Sequence, residues 1–160
     1  MDYRYRPMHD DDLEQIVQLS LLAWEPVFIS FENILGPAIF KRIYPDWRID
    51  QAKAVEEVCR SPEHTVWVAD LDSALGGFIA YTLDAEHQSG EVTLLAVHPD
   101  HQNRGVGTAL NELALARMRE AGMTLAIANT GGDPGHAPAR RSYEKAGYTG
   151  LPLVHYCQVL

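Results

Sequence analysis

The sequence predicts an α/β or α+β domain in which one central sheet carries helices on both faces. Three observations support this. The apolar period changes at Thr65, from helical spacing before it to short strand-like runs after it. One strongly amphipathic stretch, Gly105 to Ala121, interrupts those runs and places Val106, Ala109, Leu110, Leu113, Ala114 and Met118 on one stripe. Gly and Pro mark the joints between segments.

Taken in order, Tyr3–Arg6 reads as a short first strand. Asp10 or Asp11 caps a helix on which Leu13, Ile16, Val17, Leu19, Ser20, Leu21 and Trp24 recur at helical spacing, and Pro26 is expected to end it near Glu25. Ser30 to Tyr44 reads as one or two short helices interrupted at Gly36-Pro37, and Asp50 caps another that runs through Cys59 to a stop at Ser61-Pro62. Strands follow at Thr65–Ala69, Leu75–Leu83 and Glu91–Val97, the last closed by Pro99, which cannot donate to a sheet ladder. After the Gly105–Ala121 helix and its Gly122 stop come a strand at Met123–Ala128 and a Gly/Pro-rich loop, Asn129–Ala137. A short helix at Pro138–Ala146 ends before Gly147, and Tyr148–Gly150 and Val154–Leu160 read as closing strands. The order is β-α-α(-α)-β-β-β-α-β-α-β-β.

A chain of 160 residues, 46% hydrophobic and 22% charged, reads as one globular domain over 1–160, with no repeat or linker. A net charge of −9 argues against a nucleic-acid partner and is compatible with an amine substrate, although it also serves ordinary solubility. Cys59 and Cys157 are in no metal spacing, and the seven histidines include no H-x-x-x-H cluster, so no metal is expected. Without an apolar leader near the first residues, or a run of ~18 apolar residues, the expectation is a cytoplasmic protein with reduced thiols and no membrane partner.

The first segment carrying chemistry is Gln102-Asn103-Arg104-Gly105-Val106-Gly107-Thr108, directly after a strand and opening a helix. Unpaired N–H groups and the dipole at a helix start bind anionic phosphate, and glycines let the backbone approach it closely. Alone, a Gly-x-Gly marks a turn as readily as a site. A dinucleotide fingerprint is excluded because its third glycine position is Leu110 and no acidic strand-end residue stands in the βαβ frame. A P-loop is excluded for want of Gly-Lys-Ser/Thr.

Leu94-Leu95-Ala96-Val97-His98-Pro99, then Gln102-x-x-Gly105-x-Gly107, then Ala139-x-x-x-Tyr143-Glu144-Lys145-Ala146-Gly147-Tyr148, together resemble the two signature motifs of the GNAT superfamily of N-acetyltransferases. The resemblance covers about Thr65 to Tyr148 closely. It implies a mixed, mostly antiparallel sheet and an acetyl-CoA site in which the amides of Gln102 to Thr108 hold the pyrophosphate. The backbone of Leu95, Ala96 and Val97 would pair with the pantetheine arm as an added strand, which an extended amide-containing ligand can do at a splayed sheet edge. His136 and Ala139 complete the expected cofactor contacts.

Glu91 is a carboxylate opening an otherwise apolar strand. Period-two geometry places it on one face with Thr93, Leu95 and Val97. It stands where many GNAT enzymes carry a general base, fourteen residues before Gly105 (105 − 91). The chemistry needs one, because an ammonium must lose a proton before its nitrogen attacks a thioester. A solvated strand end is the competing reading. Tyr143 shares a helix face with Ala139 and Ala146 and points inward, either as core or as the acid that protonates the departing thiolate. Phenol ionises near ~10 and a thiol near ~8.5. Arg140, Arg141 and Lys145 are a solvated face or meet the CoA phosphates.

The chain departs from the family pattern seven residues before Tyr143, where Asn is common and His136 stands here. The preceding Thr130–Gly135 is a connection or the lining of an acceptor mouth, with Asp133 or His136 contacting substrate or acting as an alternative base. The resemblance implies that Trp24 to Trp47 shapes the acceptor pocket; Trp24, Phe28 and Phe31 are candidates from that stretch, and Tyr81 is a further one outside it. The expected activity is acetyl transfer from acetyl-CoA to a primary amine of a small molecule by direct attack in a ternary complex, with Glu91 as base and Tyr143 as acid. A backbone N–H near Leu95–Val97 would stabilise the oxyanion. Acetylation of a protein or peptide amine and a non-catalytic acyl-CoA sensor are the alternatives, and a homodimer is compatible with the fold.

Overall fold

The computed structural model describes residues 2–160. Its elements, in chain order, are β1 (Arg4–Pro7), α1 (Leu13–Ile43), α2 (Trp47–Arg60), β2 (Thr65–Asp70), β3 (Leu75–Asp84), β4 (Ser89–Val97), α3 (Val106–Glu120), β5 (Leu125–Ala128) and α4 (Ala137–Lys145). Short 3-10 turns occupy Asp10–Asp12, Pro99–His101 and Pro134–His136. The five strands lie in sequence order, antiparallel throughout except for β4 and β5, which run parallel. The result is a mixed α/β fold with a mostly antiparallel sheet.

Period-two alternation divides the sheet into two cores. On one face Val66, Val68, Phe78, Ala80 and Ala96 pack with Ile16 and Leu19 of α1 and Val55 of α2. On the other, Ala69, Ile79, Tyr81 and Val92 pack with Val106, Leu110, Ala114 and Met118 of α3 and with Tyr143 of α4. Burying side chains such as Phe78 or Leu110 contributes about 1.5–3 kcal/mol each relative to exposure. Neither face holds without its helices.

Three sequence expectations are corrected. Pro26 does not end α1: the helix runs through it and breaks instead at Gly36, whose φ of 75° and ψ of 159° are non-helical. Packing overrides the lost hydrogen bond, because Val27, Phe28 and Ser30, immediately after the proline, are all buried. Pro37 then begins the second segment, where its missing N–H costs nothing.

The second correction concerns β4. Ala80 pairs with Leu94 and Tyr81 with Val92, so Thr93 is an extra residue, a β-bulge. Val92 and Leu95 therefore share the α3 face, while Leu94 packs on the opposite one. Glu91 consequently lies on the face opposite Leu95 and Val97 and not beside them.

The third is the C-terminus. Tyr148–Gly150 and Val154–Leu160 form no strands, and the chain from Tyr148 onward has no regular structure. Pro152 lacks a ladder donor, and a run this short has no stability of its own without pairing. Leu151 is 82% exposed and Tyr156 89%, so this segment buries little of its apolar surface.

Candidate active site

β4 and β5 pair only from Ser89/Leu125 to Val92/Ala128. β4 continues to Val97, and beyond the Thr93 bulge its edge on the β5 side has no partner strand among the described residues. The two parallel strands part there, and a cleft of about 580 Å³ opens along the free edge. Leu95, Ala96 and Val97 line its floor. Gln102, Asn103, Gly105, Val106, Gly107 and Thr108 line one end. Ala23, Trp24, Pro26 and Val27 of α1 form a wall, Pro134–His136 pack against that helix and continue the wall, and Pro138, Ala139, Arg141, Ser142 and Lys145 of α4 complete the lining. The volume suits a cofactor-sized ligand.

The turn into α3 is built for close backbone approach. Gly105 occupies the N-cap position with φ of 82°, in the left-handed region that favours glycine, and no side chain caps the helix. The first amides of α3 therefore keep their donors for an anion. Asn103 is also left-handed, with φ of 60°. The Gln102 side chain donates to the Val97 carbonyl at 3.2 Å, tying the loop to the end of β4. Beneath it, His101 meets the Tyr3 hydroxyl at 2.9 Å. Burial, then His98 and Arg104, hold the His101 imidazole below its ordinary range, so it remains a neutral prop.

These residues fit an acyl-CoA. A Cβ on Gly107 would stand 3.4 Å from Val97 Cγ2 and 3.5 Å from Ser142 Oγ, both in residues that line the cleft. The Ser142 hydroxyl is buried and has no hydrogen-bond partner among the described residues. A buried polar atom on a cleft wall calls for a polar ligand. Arg141 and Lys145 add positive charge at that wall of a chain whose net charge is −9. Arg140 belongs elsewhere: its guanidinium donates to the carbonyls of Gly131 at 2.6 Å and Asp133 at 2.7 Å.

The loop Thr130–Gly135 is tightly organised. Asp133 accepts from Ser30 Oγ at 2.6 Å and from the Gly135 N–H at 3.0 Å through one oxygen. Its other oxygen pairs with His136 Nδ1. The Asp133 and His136 side chains are only 6% and 17% exposed. Burial works to raise the Asp133 carboxyl, but the hydrogen bonds from Ser30 and His136 outweigh it and hold the group below its ordinary value. The His136 ring packs against Phe31 at 5.7 Å.

The remaining expected residues are dispersed. Glu91 is exposed, accepts a hydrogen bond from Asn129 Nδ2 at 3.0 Å and does not line the cleft. Tyr143 is buried in the α3-side core with Tyr148 5.3 Å from its ring, and burial pushes its phenol well above the usual range. It stands directly behind Ser142. Of the acceptor candidates, Trp24 lines the cleft and Phe31 touches His136. Phe28 stacks on Trp47 at 4.2 Å in an aromatic cluster, and Tyr81 lies in the α3-side core.

Sequence reasoning missed Ser30 and Ser142, and left Arg141 and Lys145 between a solvated face and the CoA phosphates. The last three were legible in principle: Pro138, Arg141, Ser142 and Lys145 fall at i, i+3, i+4 and i+7, one helical stripe beside that of Ala139 and Tyr143. Ser30 had no local signal, because its partner Asp133 lies 103 residues away.

Parted strands, a glycine turn into an uncapped helix and a ligand-sized cleft between them define an acyl-CoA-type transferase fold. The sequence matches the acetyltransferase (GNAT) family over residues 29–148, and the chain belongs to that family: it is an acetyl-CoA-dependent acetyltransferase. No curated protein matches it in sequence. Among solved structures it is similar to the PaiA N-acetyltransferase of Thermoplasma acidophilum in complex with coenzyme A, at 20% identity and a TM-score of 0.70, covering 93% of this chain and 91% of that one. It is also similar to the aminoglycoside N-acetyltransferase AAC(6')-Iy in complex with a bisubstrate analogue, CoA-S-monomethyl-acetylneamine, at 17% identity and 0.65, with full coverage of both chains. A ribosomal-protein-alanine N-acetyltransferase from Brucella melitensis biovar Abortus 2308 matches at 17% and 0.64, covering 98% and 99%. Among the described residues no helix is long and apolar enough to cross a membrane.

Proposed function

We propose that this enzyme acetylates a primary amine of a small molecule by direct attack in a ternary complex. One observation carries the reading: a single continuous cleft runs from the start of α3, along the free edge of β4, to the wall formed by α1 and Pro134–His136. Donor and acceptor then meet in one cavity, and no covalent acetyl-enzyme is needed. Acetyl-CoA supplies the activated acetyl group as a thioester. The amides of Gln102 to Thr108, with Arg104 beside them and Arg141 and Lys145 across the cleft, hold its phosphates. The unpaired edge of Leu95–Val97 holds the amide-bearing arm, Ala139 and Ser142 form the facing wall, and a free N–H of that edge receives the developing oxyanion. Trp24 and Val27 form an apolar face for the acceptor's carbon skeleton.

Starting from an ammonium, the reaction releases one proton to solvent. Glu91, exposed and tethered to Asn129, serves that exit through water. Burial raises the Tyr143 phenol, which favours its neutral form.

The test is thiol release from acetyl-CoA across a panel of small amines and short peptides, with Glu91→Gln beside the wild type. Release with small amines is expected. Glu91→Gln should slow it roughly 3–10-fold at neutral pH, less than a direct base would, and by less as pH rises and the amine is already neutral. Release with peptides alone would overturn the small-molecule reading.

A further inference from the structure

We propose that His136 carries the proton from the attacking amine nitrogen to the departing CoA sulfur, with Asp133 and Ser30 as its positioning residues. The proposal rests on the acetyltransferase reading of the cleft and adds the group that moves the proton within it.

The argument begins with Asp133. One of its oxygens accepts from Ser30 Oγ and the Gly135 N–H, and the other meets His136 Nδ1. An ionised carboxylate only accepts hydrogen bonds, so Nδ1 of a neutral His136 must carry its proton; this tautomer is assigned from the network. Nε2 is then left as a lone-pair acceptor, with no protein partner among the described residues. Phe31 against the ring, and Arg140 on the carbonyls of Gly131 and Asp133, fix the imidazole and its loop.

The position suits the task. His136 lines the cleft where the α1 wall meets the α4 wall, beyond the free edge of β4. Glu91 is outside the cleft and Tyr143 behind its wall, which leaves His136 as the imidazole on the cleft surface at that end. An imidazole can both take and return a proton near neutral pH. The charged groups around it are few. Asp133 lies in its own loop, and Arg140, Arg141 and Lys145 lie on α4. The packed segments Pro26–Phe31 of α1 and Leu94–Val97 of β4 carry none.

The step balances. The nitrogen lone pair of the neutral acceptor forms the N–C bond while the carbonyl π electrons move onto oxygen. His136 Nε2 takes the surplus proton from nitrogen. The oxygen electrons re-form the carbonyl, and the C–S bond breaks with its pair leaving on sulfur. His136 returns the proton to sulfur. The products are the amide and the CoA thiol, with His136 neutral again.

Two measurements on the intact protein test this. In turnover with a weakly basic amine that is neutral across the pH range read, His136→Asn should lower kcat about 100- to 1,000-fold and abolish the acidic limb of its pH profile, while CoA affinity stays within about threefold. Asp133→Asn should lower kcat roughly tenfold or more and move that limb to lower pH, and Asp133→Glu should partly restore both. Without turnover, CoA should change the titration of the His136 ring signal in NMR, whereas CoA lacking its sulfur should not. An unchanged kcat and acidic limb in His136→Asn, or equal response to the two ligands, would overturn the proposal. A ring that senses the sulfur in a protein inactive toward every amine would support the contact and overturn the amine reading instead.

Discussion

The loops Gln102–Thr108 and Thr130–Gly135 line the same cleft and look alike in composition, yet they use glycine for opposite ends. Around Gly105 nothing lies within 4 Å of where a Cβ would stand, and Gly107 faces the cavity. These glycines leave space that a ligand can fill. At Gly135 a Cβ would stand 2.6 Å from the Val27 Cα and 2.8 Å from the Pro26 carbonyl oxygen. That glycine lets the loop backbone lie directly against α1. One loop is open and uncapped; the other is closed by Ser30, Asp133, His136 and Arg140. A glycine-rich sequence therefore says that something comes close to the backbone, and the fold decides whether it is substrate or protein.

The strongest way to break this comparison is Gly135→Val. The clash is with the α1 backbone at Pro26 and Val27, which cannot rotate away, so the loop must leave α1. Overpacking of this kind costs about 1–3 kcal/mol, and the displaced loop takes Asp133 and His136 with it. Denaturant unfolding should register the lost stability, and acetyl transfer should fall at least ~100-fold. Wild-type stability in this variant would mean that the loop does not depend on its contact with α1.

The matching change on the other side, Gly107→Trp, should do the reverse. Its side chain enters the cavity and meets no backbone, so stability should stay within about 0.5 kcal/mol of wild type. CoA affinity, read by calorimetry, should fall at least ~100-fold because the indole occupies the path of the phosphates. Retained affinity would move the pyrophosphate away from the start of α3.

The same contrast explains what could be read from the sequence. The Gly105–Gly107 turn was legible because its context is local: a strand closed by Pro99 precedes it and an apolar stripe beginning at Val106 follows. The strand runs Thr65–Ala69 and Leu75–Leu83 were legible for the same local reason, and the structure extends each by one residue, to Asp70 and Asp84. The role of Gly135 was not legible, because its neighbours Pro26 and Val27 are over a hundred residues away. The Thr93 bulge hid in a run of strand-forming residues and reversed the face of Glu91. Pro26 misled for a related reason: a local helix breaker was overruled by the burial of Val27, Phe28 and Ser30. The closing strands failed in the other direction, since strand-like composition after Tyr148 found no sheet edge to join.

The smallest expected effect sharpens the comparison without a mutation. Asp133 sits in the closed loop, and no carboxylate stands in Gln102–Thr108. The Asp133 carboxyl is held below its ordinary value of 3.8 in the folded protein, against the effect of burial, by hydrogen bonds from Ser30 and His136. A group with a depressed folded pKa contributes stability that is fully present above its unfolded value and is lost as pH falls through the folded one. The closed loop should therefore hold from neutrality down to about pH 4 and loosen below it. Hydrogen exchange reads this locally, because the Gly135 N–H donates to Asp133 and to Ser30. Its protection should decline in acid ahead of that of the Ala109 N–H, which closes the first turn of α3 on the Gly105 carbonyl at 2.9 Å. In Asp133→Asn the early decline should vanish. If both amides lose protection together in the wild type, acid is unfolding the whole domain, and the two loops do not differ in what holds them.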